Sequence, residues 1–269
     1  MFSAFQTFGK LGAIGKATSA ASWSPADLAS LTAWYDPSDL STMFQDAAGT
    51  TPVTAAGQPV GLILDKSGNG HHASQTTSTA RPLFQIDGSG KHYLAFDGVD
   101  DYLSTAAIDL TGTDKVTVFS WLRVLVNAYQ GLVQFGTDLN ADTGGFLIWT
   151  RTDNLVEAYT PNPAQGGYVS SNEALSAPRT FVNTTAYDLA ASTVATEIAL
   201  RIDGASAPST AVGTSASGNF GNLPFRFGRY SSDFLNGNLY SLIIGGALYD
   251  AATVLEAETW VADKTGVTL

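Results

Sequence analysis

The chain has 269 residues, enough to bury a sizeable core, and 44% of them are hydrophobic, which excludes a wholly disordered protein. It has no cysteine, which excludes disulfides and thiolate metal sites, and its formal net charge of −11 disfavours nucleic-acid binding. Only 14% of the residues are charged and 27 are glycine, a composition that favours strands and turns over helices. No apolar run is long enough to predict a membrane span.

Residues 1–22 differ from the rest of the chain and are interpreted as an N-terminal arm. Large apolar residues recur at every third position, glycines and two lysines lie between them, and no acidic residue precedes Asp27. The alternatives are docking to a partner, packing onto the chain's own domain, and a signal peptide, whose apolar block the lysines would interrupt. We expect the arm to dock on partner proteins and to promote a homo-oligomer, with these anchors: Phe2, Phe5, Phe8, Leu11 and Ile14.

Residues 23–269 are predicted to form one domain of strands and turns. Ser24 followed by Pro25 and Asp27 predicts a short helix, because serine caps a helix and proline suits its first position. Beyond it, short apolar runs alternate with Gly, Asp, Asn and Ser, which is typical of strands. The predicted strands are 31–35, 93–96, 101–105, 116–126, 131–135, 146–151, 155–159, 179–184, 196–202, 225–229 and 238–244.

Two features of this pattern are specific. The run 116–126 is almost continuously apolar, which predicts a central strand covered on both faces, with Phe119 or Trp121 buried. The run 196–202 alternates, which predicts Glu197 on its outward side.

A longer helix is predicted near the C-terminus, capped by Asp250 and ended by Gly266. Together these elements predict an all-β fold, a two-sheet antiparallel β-sandwich (jelly roll) with a short N-terminal helix and one C-terminal helix.

Three blocks of sequence carry a resemblance to a known family. D-x-S-G-N-G-x-x-A begins at Asp65, F-D-G-x-D-D-Y-L begins at Phe96, and F-x-x-G-x-L-x-x-L-I-I ends at Ile244. Their order and spacing over residues 31–265 resemble the LamG-like branch of concanavalin A-like lectin and glucanase domains. The resemblance implies a jelly roll for residues 23–269, and copies of this form look like those in bacteriophage virion proteins and cell-surface adhesion modules. It implies function only loosely, since the fold hosts lectins, hydrolases and structural modules.

The first block has two interpretations. From Asp65 it places oxygen-bearing side chains at positions 1, 3 and 5 and glycine at position 6, as a calcium loop does, but position 12 is Thr76 instead of glutamate. It is therefore either a tight turn or part of a calcium site completed by a later aspartate, and no cofactor is required. The candidate calcium ligands are Asp65, Ser67, Asn69, Asp100 and Asp101.

The sequence lacks the catalytic motifs of the hydrolases that share this fold. Glycoside hydrolysis needs two carboxylates roughly 5 to 10 Å apart, and neither an E-x-D-x-E array nor the serine motif G-x-S-x-G is present. We therefore expect a protein that is not an enzyme, with a glycosidase or polysaccharide lyase as the less favoured alternative.

Sugar binding is the other chemistry that the residue types favour. Aromatic side chains beside amides and carboxylates are typical of lectin sites, although Trp149 could instead pack in the core. The candidate glycan-binding residues are Trp149, Asp153, Tyr159, Asn162 and Tyr168.

The favoured function is that of a non-enzymatic bacteriophage structural protein, from head or tail, at the virion surface. It would be assembled in the host cytoplasm, dock to other virion proteins through residues 1–22, and bind host-surface polysaccharide. The alternative is a carbohydrate-binding adhesion module of a cell-surface or secreted protein.

Overall fold

Two antiparallel sheets and one long helix make up the fold. The computed structural model describes residues 23–161, 166–172 and 174–269. Short 3₁₀ helices lie at Pro25–Asp27, Leu40–Thr42 and Ser78–Ala80, and the α-helices are α1 (Val194–Glu197) and α2 (Ala251–Thr265). The strands are β1 (Leu31–Tyr35), β2 (Met43–Phe44), β3 (Leu62–Ile63), β4 (Ala73–Ser74), β5 (Leu83–Ile86), β6 (His92–Asp97), β7 (Leu103–Asp109), β8 (Lys115–Val124), β9 (Gln130–Phe135), β10 (Phe146–Thr150), β11 (Val156–Thr160), β12 (Gly167–Ser171), β13 (Arg179–Asp188), β14 (Ile198–Ile202), β15 (Ala205–Ser206), β16 (Ser209–Gly213), β17 (Asn222–Phe227), β18 (Arg229–Tyr230), β19 (Asp233–Phe234) and β20 (Asn236–Gly245).

The strands pair into two large sheets. The first sheet has the order β15-β14-β13-β8-β20-β6-β5, and β1 also pairs with β20. The second sheet has the order β16-β12-β11-β10-β9-β17-β7-β4-β3-β2, and β18 and β19 form a separate hairpin. This arrangement confirms the predicted jelly-roll-like β-sandwich.

Aromatic rings from both sheets fill the space between them. Phe146 of the second sheet stacks on Tyr187 of the first, with ring centroids 4.6 Å apart. Phe135 packs at the same distance against Phe225 of the neighbouring strand β17. All four side chains are fully buried, and each contributes roughly 1.5 to 3 kcal/mol through the removal of apolar surface from water.

Helix α2 covers the outer face of the first sheet. Asp250 caps it by accepting a hydrogen bond from the Thr253 N–H at 2.8 Å, and Gly266 ends it in the left-handed conformation. Its apolar side packs on Phe119 and Trp121 of β8, both buried. The structure thus confirms the predicted central strand, the short N-terminal helix and the C-terminal helix.

The prediction that Glu197 lies on an outward strand position is wrong. Residues 194–197 form α1, and the Glu197 side chain is buried. Its carboxylate accepts hydrogen bonds from the Thr160 hydroxyl at 2.5 Å and from the Ala216 N–H at 2.8 Å. Burial raises the pKa of Glu197. The alternating pattern begins only at Ile198, because the preceding turn of helix draws the carboxylate inward to these two donors.

A cavity of about 270 Å³ lies beside the start of α2 on the outer face of the first sheet. Thr184 lines it, and the buried Thr184 hydroxyl has no hydrogen-bond partner among the described residues. We expect Thr184→Val to leave the free energy of unfolding unchanged or to raise it by about 1 kcal/mol, because an unpaired buried hydroxyl is destabilising. Urea unfolding measures the difference.

The neighbouring Thr185 provides the matched control. Its hydroxyl is buried and exchanges hydrogen bonds with the Asn183 amide at 3.1 and 3.3 Å. Thr185→Val should therefore lower the free energy of unfolding by about 1 to 2 kcal/mol. Equal losses in the two variants would contradict the assignment of Thr184 as unpaired.

Candidate glycan-binding face

The second sheet has an outward face that α2 does not cover. Successive strand residues point to opposite faces of a sheet. Phe135, Phe146 and Phe225 point inward, as their ring contacts show. Their chain neighbours Gln134, Leu147 and Arg226 therefore point outward. These three lie side by side, since Gln134 pairs with Leu147 and with Arg226.

Aromatic side chains continue this outward row across the next strands. Leu147 of β10 pairs with Tyr159 of β11, which pairs with Tyr168 of β12. Tyr168 in turn pairs with Val212 of the edge strand β16. Trp149 lies two residues beyond Leu147 on the same face, and the Trp149, Tyr159 and Tyr168 side chains are all partly exposed. Three of the predicted glycan-binding residues therefore lie together on one face.

A buried glutamate fixes the orientation of Trp149. Glu157 is the register partner of Trp149, and its carboxylate accepts a hydrogen bond from the indole N–H at 2.9 Å. It also accepts from Arg151 at 3.0 Å and from the Ser170 hydroxyl at 2.7 Å. Because three donors hold this carboxylate, it serves to position the indole. This role could not be predicted from the sequence, because Glu157 stands alone between two apolar residues.

Two further aromatic rings flank Trp149. Tyr230 of the β18–β19 hairpin meets it edge-on, with centroids 5.5 Å apart, and Tyr129 packs on it at 5.3 Å. The hairpin can lie this close because residue 131 is glycine. A Cβ at Gly131 would stand only 2.2 Å from the backbone nitrogen of Tyr230. We call the surface formed by five rings the aromatic face: Tyr129, Trp149, Tyr159, Tyr168 and Tyr230.

Two phenol groups of the aromatic face, those of Tyr159 and Tyr230, have pKa values raised above the ordinary value and stay protonated at neutral pH. Burial raises the pKa of Tyr159, and the nearby Tyr230 adds to the effect. Burial also raises the pKa of Tyr230, with further contributions from Asp233 and Asp138. Neutral phenols both donate and accept hydrogen bonds, which suits the hydroxyl groups of a sugar.

Of the remaining predicted glycan-binding residues, Asp153 is not part of this row. Asp153 lies in the exposed turn between β10 and β11, where its carboxylate is 3.3 Å from Arg151. Asn162 lies outside the described residues. The predicted docking anchors also lie outside the described residues: Phe2, Phe5, Phe8, Leu11 and Ile14.

The contacts of Asp65 favour a turn over a calcium loop. Its carboxylate accepts hydrogen bonds from the Trp34 and Ser67 N–H groups, both at 2.9 Å, and from the His71 N–H at 3.0 Å. The Ser67 hydroxyl also donates to it, at 2.6 Å. The Asn69 amide is turned toward strand β1, where it donates to two backbone carbonyls. These donors occupy the oxygens that a calcium ion would need.

The two later calcium candidates belong to a different cluster. Asp100 and Asp101 bring their carboxylates within 4.8 Å of each other and of Asp97, and Asp65 is not part of this group. Burial raises the pKa of Asp101 to about 7, and the charges of Asp97 and Asp100 add to the effect. Hydrogen bonds within the turn explain part of the close approach of these carboxylates, because the Asp97 carboxylate accepts from the Val99 N–H at 2.8 Å. Calcium binding here stays a prediction.

Solved structures share this fold. The binding domain of botulinum neurotoxin DC in complex with SialylT has 12% sequence identity and a TM-score of 0.59, and the match covers 88% of this chain and 52% of that one. The binding domain of Paraclostridial Mosquitocidal Protein 1 has 13% identity and a TM-score of 0.58, covering 89% and 53%. Trypanosoma rangeli sialidase has 8% identity and a TM-score of 0.55, covering 90% and 34%.

These likenesses define the class of fold. The chain spans about half the length of the two binding domains and about a third of the sialidase. At these identities they show the fold alone, a jelly-roll-like β-sandwich. No protein-family model and no curated protein sequence matches it. In the part of the chain that the structure describes, no helix has the length and apolar character of a membrane span.

Proposed function

We propose that the protein is a non-enzymatic carbohydrate-binding domain and that the aromatic face is its binding site. The observation that carries the proposal is the placement of Trp149, Tyr159 and Tyr168 on the outward side of one sheet, with Trp149 held by Glu157. Rigid aromatic surfaces beside polar groups are typical of sugar-binding sites, since a sugar ring has an apolar face and a rim of hydroxyls.

The similarity in fold supports the proposal but is not the observation on which it rests. One of the similar binding domains was solved with SialylT, and the sialidase with a sugar-derived inhibitor. Both observations concern those proteins. They make carbohydrate a reasonable partner for a sandwich of this shape, and the aromatic face supplies the site.

The finer proposal is a bacteriophage virion protein that displays this domain and docks through residues 1–22, with homo-oligomerisation through the same arm. It is supported by the sequence blocks alone. The alternative is an adhesion module of a cell-surface or secreted protein. Immunogold labelling of purified phage particles and of cell envelopes from the source distinguishes the two, because each predicts gold on one of them only.

A glycan array tests the binding site. We expect the wild type to bind a subset of the glycans and Tyr168→Ala to bind them at least tenfold more weakly, because the substitution removes a partly exposed ring from the aromatic face. A tenfold change corresponds to about 1.4 kcal/mol. The matched control is Tyr93→Ala, which removes a partly exposed tyrosine from the first sheet and should leave the binding unchanged.

Two results would contradict the proposal. One is a wild-type protein that binds no glycan on the array. The other is binding that Tyr168→Ala and Tyr93→Ala weaken equally while both variants remain folded.

A further inference from the structure

Arg226 places a positive charge at the border of the aromatic face. It lies on the outward side of β17, and its side chain is partly exposed. One terminal nitrogen donates to the Thr137 carbonyl at 3.3 Å, and the buried Nε has no partner. Among the described residues, no carboxylate lies within 4 Å of its guanidinium. This is unusual in a chain with 24 acidic and 13 basic residues.

A second arginine increases the local positive charge. Arg229 also lacks a carboxylate partner in the described ranges, since its Nε donates to the Ser231 carbonyl and its guanidinium lies 4.8 Å from the Tyr102 ring centroid. Burial lowers the pKa of Arg226, and the nearby Arg229 charge lowers it further. Two arginines that repel each other and form no direct ion pair with a described carboxylate favour a bound anion.

Asp142 and Tyr102 are the groups that partly offset this charge. The Asp142 carboxylate accepts hydrogen bonds from the Thr137 and Asp138 N–H groups through one oxygen, Oδ2, and forms no ion pair within 4 Å of Arg226. Beyond its bond to the Thr137 carbonyl, the Arg226 guanidinium therefore keeps donors for a ligand.

Gln134 is an independent sign that a polar partner belongs here. It is the register partner of Arg226 on the same outward side and is fully buried. Neither its amide nitrogen nor its amide oxygen has a hydrogen-bond partner among the described residues. Buried amides are nearly always hydrogen-bonded in folded proteins, so an amide left unpaired beside an unpaired guanidinium indicates a site whose partner is a ligand or water.

We propose that the aromatic face binds an acidic glycan and that Arg226 binds the carboxylate of one of its sugars. The inference rests on the proposed function and adds the substrate class. A guanidinium donates two parallel hydrogen bonds to a carboxylate, and the buried Gln134 amide on the neighbouring strand is a further polar group without a partner among the described residues. Tyr159 lies three strands from Arg226, roughly 14 Å at about 4.8 Å per strand. The ligand is therefore an oligosaccharide, with its acidic sugar over Arg226 and a neighbouring sugar on the rings.

An array that pairs each uronate-containing oligosaccharide with its methyl ester tests the inference. The ester keeps the sugar and removes the charge. We expect the wild type to bind the acid at least tenfold more tightly than the ester, and added salt to reduce the difference. Arg226→Gln should remove the preference while the ester still binds, and Arg226→Lys should keep part of it. The control is Arg123→Gln, which removes an arginine from the first sheet and should retain the full preference.

The outcomes separate this inference from the proposed function. Two outcomes overturn the acidic-glycan inference and leave the proposed function standing. One is binding of neutral glycans or esters with no preference for the acid. The other is a preference for the acid that survives in folded Arg226→Gln. Absence of binding to every glycan overturns both. Gln134→Leu gives a second readout, because it should weaken binding of the acid more than that of the ester. Equal effects on the two ligands would mean that Gln134 pairs only with a structural water.

Discussion

Replacing Glu157 by alanine is expected to weaken both the fold and the binding of glycan. The substitution removes a buried carboxylate that holds the Trp149 indole, Arg151 and the Ser170 hydroxyl. Breaking one partner of a buried ion pair costs about 3 to 5 kcal/mol. Since Arg151 is partly exposed and can regain water, we expect a loss of about 3 kcal/mol in urea unfolding. Glycan affinity should fall at least tenfold because the indole loses its anchor.

Two variants control for this effect. Glu157→Gln keeps an oxygen that can accept from the indole and should lose about 1 kcal/mol of stability while most of the binding remains. Glu256→Ala removes an exposed glutamate from α2 and should change neither quantity. A Glu157→Ala protein that is as stable as Glu256→Ala and binds as well as the wild type would contradict the positioning role.

The stability of the wild type is expected to fall as pH rises through the pKa of Asp101. In the fold this pKa is about 7, against an ordinary pKa of 3.8 for an aspartate. Between these values the folded protein retains a proton that the unfolded chain has released, so the stabilisation is complete below about pH 4 and is lost above about pH 7. A difference of about three pKa units, at about 1.4 kcal/mol each, sets an upper limit of about 4 kcal/mol.

Asp101→Asn tests this dependence. The neutral amide can still accept from the Asp97 N–H, which now donates to the Asp101 carboxylate at 3.1 Å. The variant should match the wild type at pH 4 and exceed it in stability at pH 8. Asp263→Asn, an exposed position on α2, should follow the wild-type curve. Parallel curves for the wild type and Asp101→Asn would show that burial of this carboxylate has no energetic effect.

The wild type and Asp101→Asn also test whether this acidic cluster binds calcium. An ion held by Asp97, Asp100 and Asp101 would compensate their charges, so millimolar calcium at pH 8 should raise the melting temperature of the wild type and not of Asp101→Asn. If calcium shifts both proteins equally or neither, the acidic cluster is not a calcium site.

Elements with local signals could be predicted from the sequence. Helix α2 is bounded by its own cap residues, Asp250 and Gly266, and both lie where the sequence places them. Strand β8 is apolar along both faces because α2 covers one and the second sheet covers the other. Short strands such as β2, β3 and β4 were not predicted, since two residues carry no periodicity.

The candidate site could be predicted only in part. Its composition depends on which face of the sheet each strand residue points to and on which residues the strand register makes neighbours. Residues 146–149 are all apolar, so no alternation shows that Trp149 points outward instead of into the core. Gln134 is far from Arg226 in the chain and meets it through strand register, and Tyr230 meets Trp149 through the hairpin that crosses Gly131. The aromatic types were visible in the sequence, whereas the surface they form depends on the fold.

The indole N–H signals in a two-dimensional NMR spectrum test the central claim most directly. Four of the five tryptophans lie in or against the cluster beneath α2, and Trp149 is the one on the aromatic face. Titration with a glycan selected on the array should shift the Trp149 indole signal, assigned with Trp149→Phe, and leave the other four unchanged. If the titration instead shifts the indole signals of Trp121 or Trp260 and leaves the Trp149 signal unchanged, the binding site lies on the opposite face and the account is contradicted.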